Sequence, residues 1–339
     1  MAVQTQPGPR VTHLPLAKQP DRPTVIDVED VDFTFTRETG VFDLTFQVPA
    51  GTIFGLIGPS GCGKTTTVRL LNGLYRPDQG SVRVLDQRKN RFTTRTRERI
   101  GYMPQQFVLY PNLTVGENLN FVASLYGLGY MHRRKQLRQL LEFVELADVR
   151  NRLAGKLSGG MQRRLLLACS LVHNPALLFA DEPTVGIDPV LRAKFWDSFH
   201  TLRDQGHTLF ITTQYVSEAA YCDLVGVMRA GRLIYFDTPE GLRQQAMQGE
   251  IIKLVVTPKC IMDAARLIYP HPEVHEIRQD HTQPGMLYVY VTSAAEMIPT
   301  LVTLLDEHPE ITVEQAEEYQ LPFDDIFIAL MEKADQAHA

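Results

Sequence analysis

The stretch Gly58-Pro59-Ser60-Gly61-Cys62-Gly63-Lys64-Thr65-Thr66 constrains this chain more than any other. It follows Ile53-Phe54-Gly55-Leu56-Ile57, an apolar run that reads as a buried strand, and precedes Thr67 to Leu74, which reads as a helix apolar on one side. Strand, glycine loop, Lys-Thr and helix, in that order, are the context a phosphate-binding loop requires. The glycines let the backbone curl so that successive N–H groups point inward, and the helix N-terminus adds partial positive charge at the same place. In that role Lys64 reaches the β- and γ-phosphates and the Thr65 hydroxyl ligates magnesium. The bland reading is a glycine-rich turn, and the flanking strand and helix argue against it.

At 339 residues the chain is long enough for two domains. A net charge of -5 argues against a protein built to hold nucleic acid by bulk charge, so no nucleic-acid partner is expected. Cys62, Cys169, Cys222 and Cys260 are scattered with no CxxC pair, which suits a reduced, cytoplasmic compartment. No apolar run approaches the ~20 residues a membrane helix needs, and no hydrophobic signal region is read at the N-terminus. Any membrane role must then come through a partner.

Taken in order, residues 1–23 are proline-rich and expected to be disordered. Val25-Ile26-Asp27-Val28 and Val31 to Phe35 alternate as two strands, and Val41 to Val48 as a third. Phe33, Phe35 and Phe42 are core candidates, one of which can offer a ring face to a purine. Residues 87–99 are basic; a solvated loop is the favoured reading, with contact to acidic lipid headgroups the alternative. Ile100 to Met103 reads as a strand before Pro104 and Gln105. The pattern turns helical from Thr114 to Ala147, opened by a Thr114–Glu117 capping box. Leu157-Ser158-Gly159-Gly160-Met161-Gln162 opens another helix, with Ser158 as cap and bare N–H groups after it, a second anion site. The buried strand Ala176 to Ala180 ends in Asp181-Glu182, two carboxylates that are costly there unless a metal or an attacking water uses them. Val185 to Pro189 is a turn, Thr208 to Thr213 a buried strand ending at Gln214, and a hairpin turns about Ala230-Gly231. Strands alternating with helices imply a largely parallel sheet with its ligand at the strand C-termini.

In this order the P-loop, Gln105, LSGGM, Asp181-Glu182, Asp188 and the polar residue after the Thr-Thr strand resemble the ATP-binding cassette (ABC) ATPases over about residues 24 to 245. The resemblance implies an α/β P-loop NTPase core, residues 24–247, with a helical subdomain at about 106–172, and ATP and Mg2+ as cofactors. It implies two cassettes, a homodimer or a heterodimer with another ABC ATPase, each ATP lying between the P-loop of one and the LSGGM of the other. Carried over by motif, Phe35 stacks on adenine, and Gly58, Pro59, Ser60, Gly61, Cys62, Gly63, Lys64, Thr65 and Thr66 cradle the phosphates. Thr65, Gln105 and Asp181 are the magnesium set. Ser158, Gly159 and Gly160 hold the γ-phosphate across the dimer, Glu182 is the catalytic carboxylate, and Asp188 lies in the loop linking the two sites. The family has His where this chain has Gln214, which keeps a hydrogen-bond donor but carries no charge and shuttles no proton. Cys62 lies beside a helix N-terminus, where thiols become more acidic; it is read as a tolerated variable position, with a block of ATP binding by alkylation as the minor expectation.

Residues 248–339 read as βαββαβ plus a helix, a small ferredoxin-like α+β domain assigned to dimer contact or regulation. His271, His275 and His281 invite a metal reading, but Pro270 and Pro272 forbid the helix that would align the first two, and surface histidines are preferred. Leu321 to Leu330 resembles the tail motif of ATPase subunits from drug- and lipid-exporting ABC systems. The reading reached is an ATPase subunit of an ABC exporter, cytoplasmic and peripheral on the inner face of the cell membrane, with a separate transmembrane permease. Its alternatives are a low-turnover nucleotide-binding regulator and a soluble ABC protein acting on ribosome or DNA.

Overall fold

The computed structural model describes residues 22–36, 39–85, 87–88, 93–247, 249–280 and 282–336. The expected disordered tail lies, up to residue 21, outside them, as do residues 89–92 of the basic stretch 87–99. The described strands before residue 240 are β1 (Thr24–Thr34), β2 (Gly40–Pro49), β3 (Ile53–Ile57), β4 (Gln79–Val84), β5 (Gln87–Arg88), β6 (Ile100–Met103), β7 (Leu177–Asp181), β8 (Thr208–Thr213), β9 (Leu224–Arg229) and β10 (Arg232–Asp237). Every residue of β3, β7 and β8 is buried. Strands buried on both faces, mostly apolar along their length, suit the interior of a parallel sheet covered on both sides. They lie in a sheet of order β10-β9-β3-β8-β7-β6, parallel except for the β9–β10 hairpin.

Register aligns the strand ends. Ile57 pairs with Thr213, Thr212 with Asp181, and Ala180 with Met103. The loops after β3, β8, β7 and β6 therefore leave the same edge side by side. Below them a chain of aromatic rings crosses the core: Phe46 to Phe54 at 5.5 Å, Phe54 to Phe210 at 4.9 Å, and Phe210 to Phe179 at 5.5 Å between centroids.

A second, antiparallel sheet has the order β2-β1-β4-β5. The two strands expected at 25–28 and 31–35 are one strand, β1, with a register shift between Val28 and Val31. Asp30 takes the extra residue in the left-handed conformation, φ 47°, so alternation changes phase without the strand ending. The helical subdomain also departs from one long helical run. Val115–Leu125 stops before Gly127, whose φ of 67° is the usual left-handed end of a helix, and Tyr130–Phe143 follows. These helices and Gly159–Leu171 share a core that includes Val115, Leu119, Leu141 and Leu165. The Thr114–Glu117 capping box forms in both directions, at 3.2 and 2.7 Å.

The chain divides into two compact units between Pro239 and Glu240, where the sequence suggested 247/248. The reason is the helix Pro239–Ala246. Arg243 donates to Gln320 Oε1 at 2.7 Å, and Gln245 O accepts from Lys333 Nζ at 2.8 Å. The second unit contains β11 (Glu250–Val256), β12 (Val274–Gln279), β13 (Met286–Val291) and β14 (Val313–Glu318). They pair antiparallel in the order β12-β13-β11-β14, and the helices Ile261–Ile268 and Ala294–Asp306 share a core with one sheet face. That is the ferredoxin-like arrangement. Its last strand begins at Val313 rather than Ile311, which is buried in the core just before it.

Phe210 touches both neighbouring rings of the aromatic chain and is fully buried. Phe210→Ala is expected to destabilise the first unit by about 3–5 kcal/mol. Urea unfolding followed by fluorescence of Trp196, the only tryptophan, reads that unit alone.

Candidate active site

The glycine loop is shaped by what surrounds it. A Cβ on Gly58 would collide with the carbonyl oxygen of Met228 in β9, and Gly63, at φ 111°, caps the helix Lys64–Leu71 in the left-handed conformation. The first bond of that helix runs from Thr67 N to Gly63 O at 2.9 Å. The N–H groups of Lys64, Thr65 and Thr66 precede the ladder and face the loop.

Lys64 is buried. Its ammonium donates to Gly58 O at 2.8 Å and Pro59 O at 3.0 Å, and lies 3.4 Å from Glu182 Oε1. Glu182 Oε2 accepts from Gln105 Nε2 at 2.8 Å. Glu182 holds a left-handed backbone, φ 47°, which costs a non-glycine residue roughly 1–3 kcal/mol. Its N–H donates to Thr212 Oγ1 at 3.0 Å and Thr212 O at 3.1 Å, which hold the strained turn. Asp181 Oδ1 accepts from Thr212 Oγ1 at 2.6 Å and Thr65 Oγ1 at 3.2 Å. Ser60 Oγ donates to Gln214 Oε1 at 2.9 Å, joining the glycine loop to the end of β8. One network thus joins Lys64, Thr65, Gln105, Asp181, Glu182 and Thr212, with the Ser60–Gln214 pair beside it. Hydroxyl, carboxylate and amide oxygens at Thr65, Asp181 and Gln105 are the hard donors that suit a small divalent cation.

Ser158, Gly159, Gly160, Asp188 and Phe35 make no hydrogen bond to this network among the described residues. Ser158 caps the helix Gly159–Leu171, with Oγ accepting from Met161 N at 3.3 Å. Asp188 caps Pro189–Asp204, with Oδ1 accepting from Leu191 N at 2.9 Å. Phe35 is 54% exposed, edge-on to Phe33 and to Tyr75. Phe33 instead stacks flat on Tyr75 at 4.9 Å and Phe42 lies under Arg232, so of the three candidate rings Phe35 is the exposed one.

Two contributors escaped the sequence reading. Thr212 stood there only as part of a buried strand; the signal was a hydroxyl residue among apolar neighbours. Arg163, in the helix opened by Ser158, is not singled out by the sequence at all. It is 5% exposed, and Nη1 donates to Gln105 O at 2.6 Å while Nη2 reaches Val185 O at 3.4 Å and Cζ sits 4.8 Å from the Phe107 ring.

Cys62 corrects an expectation. Burial pushes its thiol above the ordinary value, and the nearby Lys64 charge only partly opposes this. The thiol packs under Gly58 and is 4% exposed, so although the backbone N–H of Lys64 at the helix start still favours the thiolate, burial outweighs it. Alkylation of the native protein at pH 8 should therefore spare Cys62 and label the more exposed Cys260 first, with Cys62 reacting faster as pH rises. Peptide mapping after timed iodoacetamide treatment checks this order, and rapid labelling of Cys62 at pH 8 would contradict it.

Comparison with known proteins identifies the family. The ABC transporter family matches residues 41–185. The probable multidrug ABC transporter ATP-binding protein YbhF of Escherichia coli is 37% identical over 67% of this chain, and the match spans 39% of YbhF's own length. The linearmycin resistance ATP-binding protein LnrL of Bacillus subtilis is 34% identical, over 69% of this chain and 75% of its own. The daunorubicin resistance ATP-binding protein DrrA2 of Streptomyces coeruleorubidus is 37% identical, over 85% of this chain and 88% of its own. Among solved structures, the ATP-binding subunit of an ABC transporter superposes with a TM-score of 0.60 at 28% identity, over 66% of this chain and 93% of that one. A dimeric cassette in a post-hydrolysis state with ADP and Pi gives 0.57 at 25% identity, over 63% and 98%. With these relatives and the P-loop NTPase fold in hand, the chain belongs to the ATP-binding proteins of the ABC transporter family.

Proposed function

We propose that this chain binds ATP with Mg2+ and hydrolyses it as one of two facing cassettes, powering export through a separate transmembrane permease. The observation that carries the reading is Glu182, held between the Lys64 ammonium and the Gln105 amide at the mouth of the glycine loop. Lys64, now shared between Glu182 and two loop carbonyls, shifts its ammonium onto the γ-phosphate. Glu182 is thereby released to orient and activate the attacking water. Thr65 and Asp181, with Gln105, would hold Mg2+, which neutralises charge on the β- and γ-phosphates. Gln214 fixes Ser60 through its oxygen and offers its N–H to the γ-phosphate, positioning rather than relaying a proton. Phe35 stacks on the adenine. Ser158, Gly159, Gly160 and Asp188 serve the partner cassette's nucleotide, in keeping with their lack of bonds to the network of their own chain.

The permease docks beside Gln105. Val108, Tyr110, Leu74 and Leu125 are exposed around a cleft of about 510 Å³ whose lining they share with Tyr102 and Tyr126. Apolar surface of this kind marks an interaction site. No helix among the described residues is long and apolar enough to cross a membrane, so the permease supplies the span. Export is favoured by relatives named for multidrug transport, linearmycin and daunorubicin resistance and Nod factor export. The same names give no support to action on ribosome or DNA.

Glu182→Gln should lower ATP turnover of the purified protein by roughly 10²–10³ while leaving ATP affinity within a few fold. Unchanged turnover would sink the assignment. Gln214→His should raise turnover by less than about a hundredfold at equal affinity; a larger gain would make the native site an ATP-binding clamp. Arg163→Ala should lower kcat at least about tenfold with little change in ATP affinity, because the guanidinium positions the backbone of Gln105 and Val185 and touches no loop glycine. Arg163→Lys, with one short donor group in place of the fork, should recover only part of the loss.

A further inference from the structure

The second unit has a cavity that ATP chemistry leaves unused. In β13, Leu287, Val289 and Val291 enter the core, while Tyr288 and Tyr290 stand on the opposite sheet face. Tyr319, just past β14, joins them: its N–H donates to Ile251 O at 2.7 Å and its ring lies 4.8 Å from that of Tyr288. The helix Phe323–Gln336 lies across this face. A cavity of about 950 Å³ separates the three tyrosines from Asp325, Ile328, Ala329 and Glu332 on the helix. That volume falls at the upper end of the range small-molecule sites occupy, about 300–1,000 Å³.

Its charge is one-sided. The lining holds Glu276, Asp280, Asp325 and Glu332 against Arg278 and Lys333. Lys333 turns its ammonium to Gln245 O at 2.8 Å. Arg278 is bound to both oxygens of Glu276, at 2.8 and 3.1 Å, and lies 5.0 Å from the centre of the Tyr290 ring. The protein thus already sets one cation of its own on this aromatic wall. Residues 240–339 carry 17 Asp and Glu against 6 Lys and Arg, so the surrounding field is negative although the whole chain is only at -5.

We propose that this cavity binds a small organic cation with an aromatic or bulky apolar body. The body packs between the tyrosine rings and Ile328 with Ala329. The positive group meets Asp325 or Glu332, which stand two turns apart on one helix face. Aromatic walls and a carboxylate are the pairing that recognises organic ammonium and phosphonium ions. Anions, nucleic acid included, meet the same field as repulsion.

Tetraphenylphosphonium and tetraphenylborate have the same shape and opposite charge, and equilibrium dialysis against the purified full chain compares them directly. Saturable one-to-one binding of the phosphonium, with the borate at least about tenfold weaker, is expected. Asp325→Asn with Glu332→Gln should weaken phosphonium binding at least about tenfold, and Tyr290→Ala about fivefold or more. Both acidic positions are exposed, so their exchange leaves the fold intact. Lys64→Ala should bind the phosphonium as the native chain does, which separates this site from the nucleotide site. No saturable binding, equal uptake of the borate, an unchanged affinity in the Asp325/Glu332 double variant, or loss of binding in Lys64→Ala would each overturn the proposal.

Discussion

The parallel register of β3, β8, β7 and β6 is the constraint on which the site depends. Side chains alternate along a strand, so a slip of one residue between β7 and β8 would set Ala180 instead of Asp181 opposite Thr212 and turn Glu182 away from Lys64. Hydrogen bonds alone tolerate such slips in flat, polar strands. Here every residue of β3, β7 and β8 is buried, and Phe54, Phe210 and Phe179 pair across three neighbouring strands at one level. Packing at that level fixes which polar groups emerge at the edge. The chemistry of the loops is therefore set by rings several residues below them.

What emerges is electrostatically expensive. Lys64, Asp181 and Glu182 are all below 10% exposed. Removing ions from water costs several kcal/mol each, and a buried pair usually only breaks even against apolar residues of the same size. The compensation is local and specific: three oxygens around the ammonium, two hydroxyls on one Asp181 oxygen, and an amide on Glu182. The left-handed Glu182 adds strain on top. A fold under selection for stability alone would not keep this arrangement, and strained, charged, buried groups gather where a reaction needs them already oriented.

Much of this was legible from residue order, because the motifs encode backbone geometry that few other residues allow. Gly58 and Gly63 mark a close approach and a left-handed cap, and an apolar strand ending in Asp-Glu announces buried carboxylates. The four strands of the second unit were legible in order, the last with its start two residues early. The misses share a different cause. The β1 bulge at Asp30, the unit boundary before the helix Pro239–Ala246, the burial of Cys62 and the role of Arg163 depend on partners far away in sequence: Gly80, Gln320, Gly231 and Val185. Periodicity reports which face of an element is apolar. It does not report which carbonyl a buried guanidinium will find.

Arg163 shows why such a partner matters. The helix it belongs to starts at the Ser158 cap, and its guanidinium bonds the backbone of the Gln105 loop while facing Val185 in the loop before Asp188. The same group lies over Phe107, in the stretch between Gln105 and the exposed apolar residues Val108 and Tyr110. Gly160 adds a second link, since a Cβ there would strike Leu191 in the helix that Asp188 caps. Displacing the Gln105 loop by a fraction of an ångström must therefore either break a buried charged hydrogen bond, at about 1.5–3 kcal/mol, or carry the signature helix along. Close packing at Gly160 and Leu191 leaves the second course as the lower in energy. Three segments, 58 and 22 residues apart along the chain, then move as one piece, which is the mechanical requirement for any surface near Phe107 to be felt at Glu182.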